Sequence, residues 1–161
     1  MIPVIGIFAA YFFPDQLPFL NAFAVNPYLS LVLAMALTYF PFGVLLLIKI
    51  SKKKTGNVDP RAGTQQLMLS NATARNCSNC HNHMLEGYGF FAASVLAAMQ
   101  AGVASSVVSQ YATFWLIVRS AYVVIYIIQS SEAVAALRSW AFGVALGTQA
   151  KLFFLAVAAA Q

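Results

Sequence analysis

Charged residues are scarce in this 161-residue chain, since Asp, Glu, Lys and Arg together make up 8% of it. A soluble domain carries roughly 25% of these residues, so the composition excludes an ordinary soluble fold. Hydrophobic residues account for 61% of the chain, and no polar linker long enough to separate two domains interrupts them. The sequence therefore predicts a single membrane domain over residues 1–161.

Charge is absent altogether between Glu86 and Arg119. An uncharged run of this length in so apolar a chain is typical of a helix embedded in a bilayer. Glu86 then lies at or just inside a membrane boundary, where an ionisable side chain is costly. We therefore treat Glu86 as a candidate functional residue.

Acidic residues are the rarer of the two charged classes, which leaves a formal net charge of +5. A basic balance can indicate a nucleic-acid partner, but Lys49 and the lysines at 52–54 directly follow an apolar run. Basic residues in that position mark the cytosolic flank of a membrane span. The pattern favours a membrane protein without a nucleic-acid partner, and it places a loop at about 49–72 in the cytosol.

Four apolar runs are long enough to cross about 30 Å of hydrocarbon. The first contains Pro41, which should kink its helix. Prolines interrupt the chain before it too often for another span, so we expect short helices at the membrane interface there. The predicted fold class is an all-α membrane protein, a bundle of four transmembrane helices. The expected spans are about 29–48, 80–108, 111–129 and 138–160.

Three polar residues recur along the third predicted span. Arg119, Tyr122 and Tyr126 follow an i, i+3, i+7 spacing, which puts them on one stripe of a helix. A mid-span arginine that faced lipid would carry a large penalty, so Arg119 should face Glu86, water or a bound anion. Two interpretations stay open: a structural Arg119–Glu86 pair, or a ligand cleft with tyrosine hydroxyls on its wall.

Arg138 opens the fourth predicted span. Its side chain either snorkels to the membrane edge or has an anion-binding or catalytic role. Position in the sequence does not separate these two interpretations.

A group of metal-capable residues precedes Glu86: Cys77, Cys80, His81 and His83. The Cys-x-x-Cys-His pattern is that of c-type haem attachment, but a cytosolic position disfavours it. On a helix His83 points away from the other three, so one subunit does not close a tetrahedral metal shell. Helix geometry and a reducing cytosol disfavour a disulfide. The favoured interpretation is two packed thiols and no metal, with a histidine near Glu86 for acid–base chemistry.

Four segments together resemble the MAPEG family, the membrane-associated proteins of eicosanoid and glutathione metabolism, and in particular its microsomal glutathione transferases. They occur in the family's order and spacing within a chain of four predicted spans. The segments are DPRAG at residues 59–63, HNHMLEGYGFFAASVLAAMQAGV at 81–103, RSAYVVIY at 119–126 and LRSWAFGVALG at 137–147.

This resemblance implies a homotrimer in the endoplasmic reticulum membrane. It also implies a cleft between subunits, open toward the cytosol, where family enzymes hold glutathione and a lipophilic co-substrate. Glu86, Tyr122 and Tyr126 would line that cleft. Arg119 would support it, and Arg138 would stabilise the glutathione thiolate, the nucleophilic form of the thiol.

Two positions depart from the family's pattern. The arginine seven residues before the glutamate is replaced by Asn79, and the asparagine three residues before it by His83. Losing one cationic contact to a tripeptide with two carboxylates should weaken binding by about 2 kcal/mol, whereas His83 can still hydrogen-bond. His81 stands where the family has His or Gln.

Three functions are compatible with these residues. The first is a glutathione-dependent transferase, isomerase or peroxidase acting on a lipophilic electrophile. The second is a membrane isomerase or cyclase that uses acid–base residues without glutathione, and the third is a non-catalytic member that binds a lipid. The catalytic candidates are Arg138, Glu86 and His83; the cofactor-binding candidates are Glu86, Arg119, Tyr122, Tyr126 and His81.

Overall fold

Helices account for most of the chain that the structure describes. The computed structural model describes residues 16–53 and 59–161, and within these ranges it contains helices and no β-strand, which confirms the all-α prediction. A 3-10 helix at Pro18–Phe23 comes first. The α-helices that follow are α1 Pro27–Ser51, α2 Pro60–Ser70, α3 Ala72–Gln100, α4 Ser105–Ile128 and α5 Glu132–Ala159.

The polar stretch predicted as a loop at about 49–72 contains helix α2. The Asp59 carboxylate accepts a hydrogen bond from the backbone N–H of Ala62 at 3.0 Å, and Pro60 takes the first helical position, where its missing N–H costs nothing. Asp59-Pro60 therefore starts a helix within the predicted loop. Residues 54–58 of the stretch, including Lys54, lie outside the described residues, as do residues 1–15 of the predicted interfacial segment.

Three of the described helices, α1, α4 and α5, are long and apolar enough to cross a membrane. Helices of this kind are those of an integral membrane protein. Helix α3 has 29 residues, but polar residues between Asn76 and Glu86 interrupt its apolar composition, so it is not among them. The second predicted span, about 80–108, lies on this helix and the start of the next.

The turn between α3 and α4 lies earlier than predicted. Helix α3 ends at Gln100 and α4 begins at Ser105, so the predicted boundary between Val108 and Tyr111 is wrong. The cause is Gly102, whose φ of 84° lies in the left-handed region that favours glycine. Backbone hydrogen bonds around this glycine close the C-terminus of α3 as a Schellman motif.

The core lies between α3, α4 and α5. Phe91 of α3 stacks on Trp115 of α4 with 3.9 Å between ring centroids and 10° between ring planes. Leu152 of α5 is fully buried in the same cluster. Helix α1 packs against α3 and α4 and keeps many large apolar side chains exposed on its other faces.

The residues before α1 close over one end of this core. Leu17 and Leu20 are buried in it. The Leu17 N–H donates to Gln110 Oε1 at 2.7 Å, and the Val25 N–H donates to Thr113 Oγ1 at 2.8 Å. These contacts hold the segment against the first turns of α4 and leave the opposite end of the bundle open.

Candidate functional site

A polar cleft of about 700 Å³ opens at the end of the bundle opposite the N-terminal segment. Its walls come from the first turns of α3, the end of α4 and the first turns of α5. The volume falls in the range of roughly 300–1,000 Å³ that is typical of ligand sites. Its polar and charged lining includes Arg75, Asn79, Tyr126, Gln129, Glu132 and Arg138.

Helix α3 presents one face to this polar cleft. Arg75 and Asn79 lie one turn apart on that face. Beside them, Asn76 donates from Nδ2 to the backbone carbonyls of Ile127 at 3.4 Å and Gln129 at 3.3 Å. These carbonyls belong to the end of α4, where a helix leaves acceptors unsatisfied. Asn76 therefore fixes the α3 wall of the cleft against the end of α4.

Arg138 is held inside the polar cleft by two contacts. Its Nη1 donates to Gln129 Oε1 at 2.6 Å, and its Cζ lies 4.5 Å from the centre of the Tyr126 ring. The second contact is a cation–π arrangement. The half-buried guanidinium thus lies on the wall of the cleft.

Arg119 lies at the centre of the bundle and is only 1% exposed. Its Nη2 donates to the His83 carbonyl at 3.2 Å. Its Cζ lies 4.7 Å from the centre of the Tyr122 ring and 5.4 Å from that of Trp115. Arg119 Nε has no hydrogen-bond partner within the described ranges, and the His83 carbonyl and the surrounding aromatic side chains hold the rest of this buried cation.

Gly87 makes room for Arg119. A Cβ atom added at Gly87 would overlap Nη2 of Arg119 and lie 3.1 Å from its Cζ. From α5, the buried Gln149 donates from Nε2 to the Gly87 carbonyl at 3.1 Å. Together these contacts fix the turn of α3 that carries His83 and Glu86.

His83 and Glu86 form a surface pair on that turn. Their Nδ1 and Oε2 atoms are 3.3 Å apart, and the side chains are 48% and 73% exposed. The His83 ring centroid lies 5.9 Å from that of Tyr126, a residue of the polar cleft. Among the described residues Glu86 makes no ion pair with Arg119, so the direct Arg119–Glu86 pair that the sequence left open is not formed.

An apolar cavity of about 170 Å³ lies beside Arg119. Glu86 lines it together with Phe90 of α3 and Phe142 and Leu146 of α5. Seven residues of α3 separate Glu86 from Asn79, which corresponds to about 10 Å along the helix axis. The polar cleft and the apolar cavity therefore follow one another along the groove formed by α3, α4 and α5.

His81 lies apart from the other candidates, at the contact between α3 and α1. Its Nδ1 is 2.8 Å from the Thr38 carbonyl oxygen. A carbonyl can only accept, so Nδ1 carries the proton. The imidazole ring also packs near the rings of Tyr39 and Phe42, at centroid distances of 5.2 and 5.3 Å. The structure does not bring His81 together with the other cofactor-binding candidates.

The two cysteines are free and are buried in separate clusters. Cys77 packs with Leu45 and Leu67, whereas Cys80 packs with Met84 and Tyr122. Burial raises the pKa of the Cys77 thiol, which precedes the predicted span, so this thiol stays protonated near neutral pH. In the part of the chain that the structure describes, no three His, Cys, Asp or Glu side chains are grouped as metal ligands.

Two charged residues of the polar cleft are not singled out by the sequence. Arg75 precedes Asn79 by four residues, and this spacing on a helix is the signal that could have indicated it. Glu132 begins α5 immediately after a short connection. Its place in the cleft follows only from the packing of α5 against α3 and α4.

The fold and these two cavities define a helical membrane protein with a ligand-sized polar cleft at one end of its bundle. The model of the MAPEG family matches residues 27–158. The chain therefore belongs to the MAPEG family, and the resemblance predicted from its sequence is confirmed. No curated protein and no solved structure matches the chain.

Proposed function

We propose that this protein is a membrane enzyme that binds glutathione in the polar cleft and directs its thiolate at a lipophilic electrophile. The placement of Arg75 and Arg138 on the walls of one cleft carries the proposal. Glutathione has two carboxylates and a thiol, and charge-assisted hydrogen bonds to arginine are among the stronger polar contacts. A transferase, isomerase or peroxidase activity would share this first step.

Arg75 would provide the positive charge that is missing at position 79, where Asn79 replaces the family's arginine. It lies about 6 Å from Asn79 along the axis of α3, one turn closer to the end of the helix. A carboxylate bound at this end of the cleft would therefore meet a guanidinium despite the departure from the family's pattern. The charge of Arg75 would therefore compensate for the glutathione affinity that the change to Asn79 is expected to remove.

Arg138 is the proposed thiolate-stabilising residue. A positive charge beside a thiol favours its anion and so increases the fraction that can act as a nucleophile. The thiol proton leaves to solvent or to His83, whose ring nitrogen can accept a proton. The sulfur then supplies the electron pair for a new bond to the electrophilic carbon. In the same reaction a π bond of the electrophile opens, or a leaving group such as a halide departs with the electron pair of the bond that breaks.

The apolar cavity is the proposed site for part of the lipophilic co-substrate. Its apolar wall suits a hydrocarbon group, and Glu86 and Arg119 at its edge are the polar groups that can orient that group. Glu86 of the cavity and Asn79 of the cleft are about 10 Å apart along the axis of α3, so a ligand in the cavity and one in the cleft would lie side by side along this helix.

The proposed membrane arrangement has α3 as a fourth span and three copies of the chain in a homotrimer of the endoplasmic reticulum. Helix α3 packs against α1, α4 and α5, the three candidate spans, which supports its position in the membrane. A neighbouring subunit would enclose the exposed His83–Glu86 pair. A mass measurement in mild detergent that detects the monomer and no trimer would contradict this assembly.

Cysteine labelling tests whether α3 crosses the membrane. Gln65 on α2 and Ser105 at the start of α4 are both exposed and lie on either side of α3. In Gln65→Cys and Ser105→Cys, a membrane-impermeant maleimide should reach the two thiols from opposite sides of intact vesicles. The parent chain is the control, because its own thiols are buried. Labelling of both positions from one side would contradict the fourth span.

Glutathione binding to the purified protein in detergent tests the proposed function. We expect Arg75→Gln to weaken binding about 30-fold, the equivalent of about 2 kcal/mol for one charge-assisted contact. Lys52→Gln, which removes an exposed positive charge outside the cleft, is the matched control and should bind like the parent. The proposal fails if titration calorimetry detects no binding to the parent, or if both variants lose the same affinity.

A second candidate function follows from the His83–Glu86 pair, 3.3 Å apart. Such a pair can move a proton on a lipophilic substrate without glutathione, as in an isomerase or cyclase. Absence of glutathione binding, together with loss of substrate conversion in His83→Gln, would favour this function. Binding of a lipid without conversion would instead indicate a non-catalytic member.

A further inference from the structure

The polar cleft contains a negative charge that the proposed thiolate chemistry does not use. Glu132, in the first turn of α5, lines the cleft together with Arg75 and Arg138. Within residues 16–53 and 59–161 it makes no ion pair with either arginine. A carboxylate beside a site for an anionic ligand repels that ligand, unless the ligand also carries a positive group.

Three residues of α5 line the cleft at intervals of three residues along the helix: Glu132, Ala135 and Arg138. Six residues separate Glu132 from Arg138, which corresponds to about 9 Å along the helix axis. In glutathione, a path of about eight bonds joins the α-amino nitrogen to the sulfur, and at about 1.5 Å per bond its contour length of about 12 Å exceeds this separation. The ammonium group can therefore lie at Glu132 while the sulfur lies at Arg138.

We propose that Glu132 is a specificity-determining residue that binds the free α-ammonium group of the thiol ligand, with Arg75 opposite it for the α-carboxylate. This inference rests on the proposed function and narrows its ligand class to thiol peptides with a free amino-acid end. Glu132 binds the ammonium group of this amino-acid end, and Arg75 binds its carboxylate. They also reject thiols that carry carboxylates alone, because Glu132 then faces no positive partner.

Two ligands that differ only at the amino group test this assignment. Titration calorimetry compares glutathione with N-acetylglutathione, in which a neutral amide replaces the ammonium. The parent should bind glutathione at least about tenfold more tightly, the scale of one charge-assisted hydrogen bond in a partly exposed site. Glu132→Gln should remove most of this preference by weakening glutathione and leaving N-acetylglutathione unchanged or improved.

The variant comparison separates recognition from a general effect on the fold. Equal weakening of both ligands in Glu132→Gln would overturn the assignment, and so would a parent that binds the two ligands equally. A melting temperature in detergent close to that of the parent shows that the variant is folded. Arg75→Gln serves as the second variant, since it should weaken both ligands alike. A parent that binds neither ligand would overturn the proposed function itself, which is a different result from the loss of discrimination.

Discussion

Replacing Arg138 by alanine is expected to lower the rate of thiol transfer by roughly 10²-fold or more, the scale of removing one preorganised electrostatic contact. The side chain already lies on the wall of the polar cleft, held by Gln129 at 2.6 Å and by the Tyr126 ring. Its charge is therefore in place before the ligand arrives. Initial rates with glutathione and an apolar aryl halide measure the effect.

Arg138→Lys separates a catalytic role from a membrane anchor. Lysine keeps the charge but not the planar fork of donors, so the proposed role predicts only partial recovery of the rate. Lys52→Ala is the control for loss of a positive charge at this end of the molecule. A lysine variant with nearly normal turnover would remove Arg138 from the catalytic candidates and leave Glu86 and His83.

Gly87→Ala adds only one methyl group, but we expect it to lower the free energy of unfolding of the protein strongly. The new Cβ would overlap Nη2 of Arg119, and the guanidinium has little freedom to move because the His83 carbonyl and the rings of Tyr122 and Trp115 surround it. Overpacking of this kind costs about 1–3 kcal/mol. The displaced arginine would also release its bond to the turn that carries Glu86, so activity should fall together with stability.

Gly89→Ala is the matched control for this substitution. It lies in the same helix, and a Cβ there meets no atom within 4 Å. Both variants gain the same helix propensity, up to about 1 kcal/mol, so the difference between their unfolding free energies in detergent reports the contact with Arg119. Equal stability of the two variants would contradict the close packing of Arg119 on Gly87.

Composition and spacing predict much of this fold. Scarce charge and long apolar runs indicate the helical membrane protein, and the stripe of Arg119, Tyr122 and Tyr126 indicates one face of a helix. All three side chains are buried in the structure. These features are local or periodic, so they are present in the sequence before any packing is known.

The remaining features depend on contacts between distant segments or on one residue's backbone. Gly102 ends α3 because of its positive φ, although the apolar run continues past it. His81 stands where the family has His or Gln, but its Nδ1 lies 2.8 Å from the Thr38 carbonyl oxygen of α1. Glu132 enters the polar cleft only because α5 packs against α3 and α4. Helical periodicity in the sequence does not predict a backbone conformation at one residue or a contact between distant helices.

The ultraviolet absorbance of bound glutathione tests the central claim most directly, because a thiolate absorbs where a neutral thiol does not. A free thiol of this kind has a pKa of roughly 8.5, and a neighbouring Arg138 should lower it. At neutral pH we expect a thiolate band when glutathione binds the parent protein and a much weaker band in Arg138→Ala at equal occupancy. Bound glutathione that stays a neutral thiol in the parent, or a band of equal strength in the variant, would contradict the proposed role of the cleft.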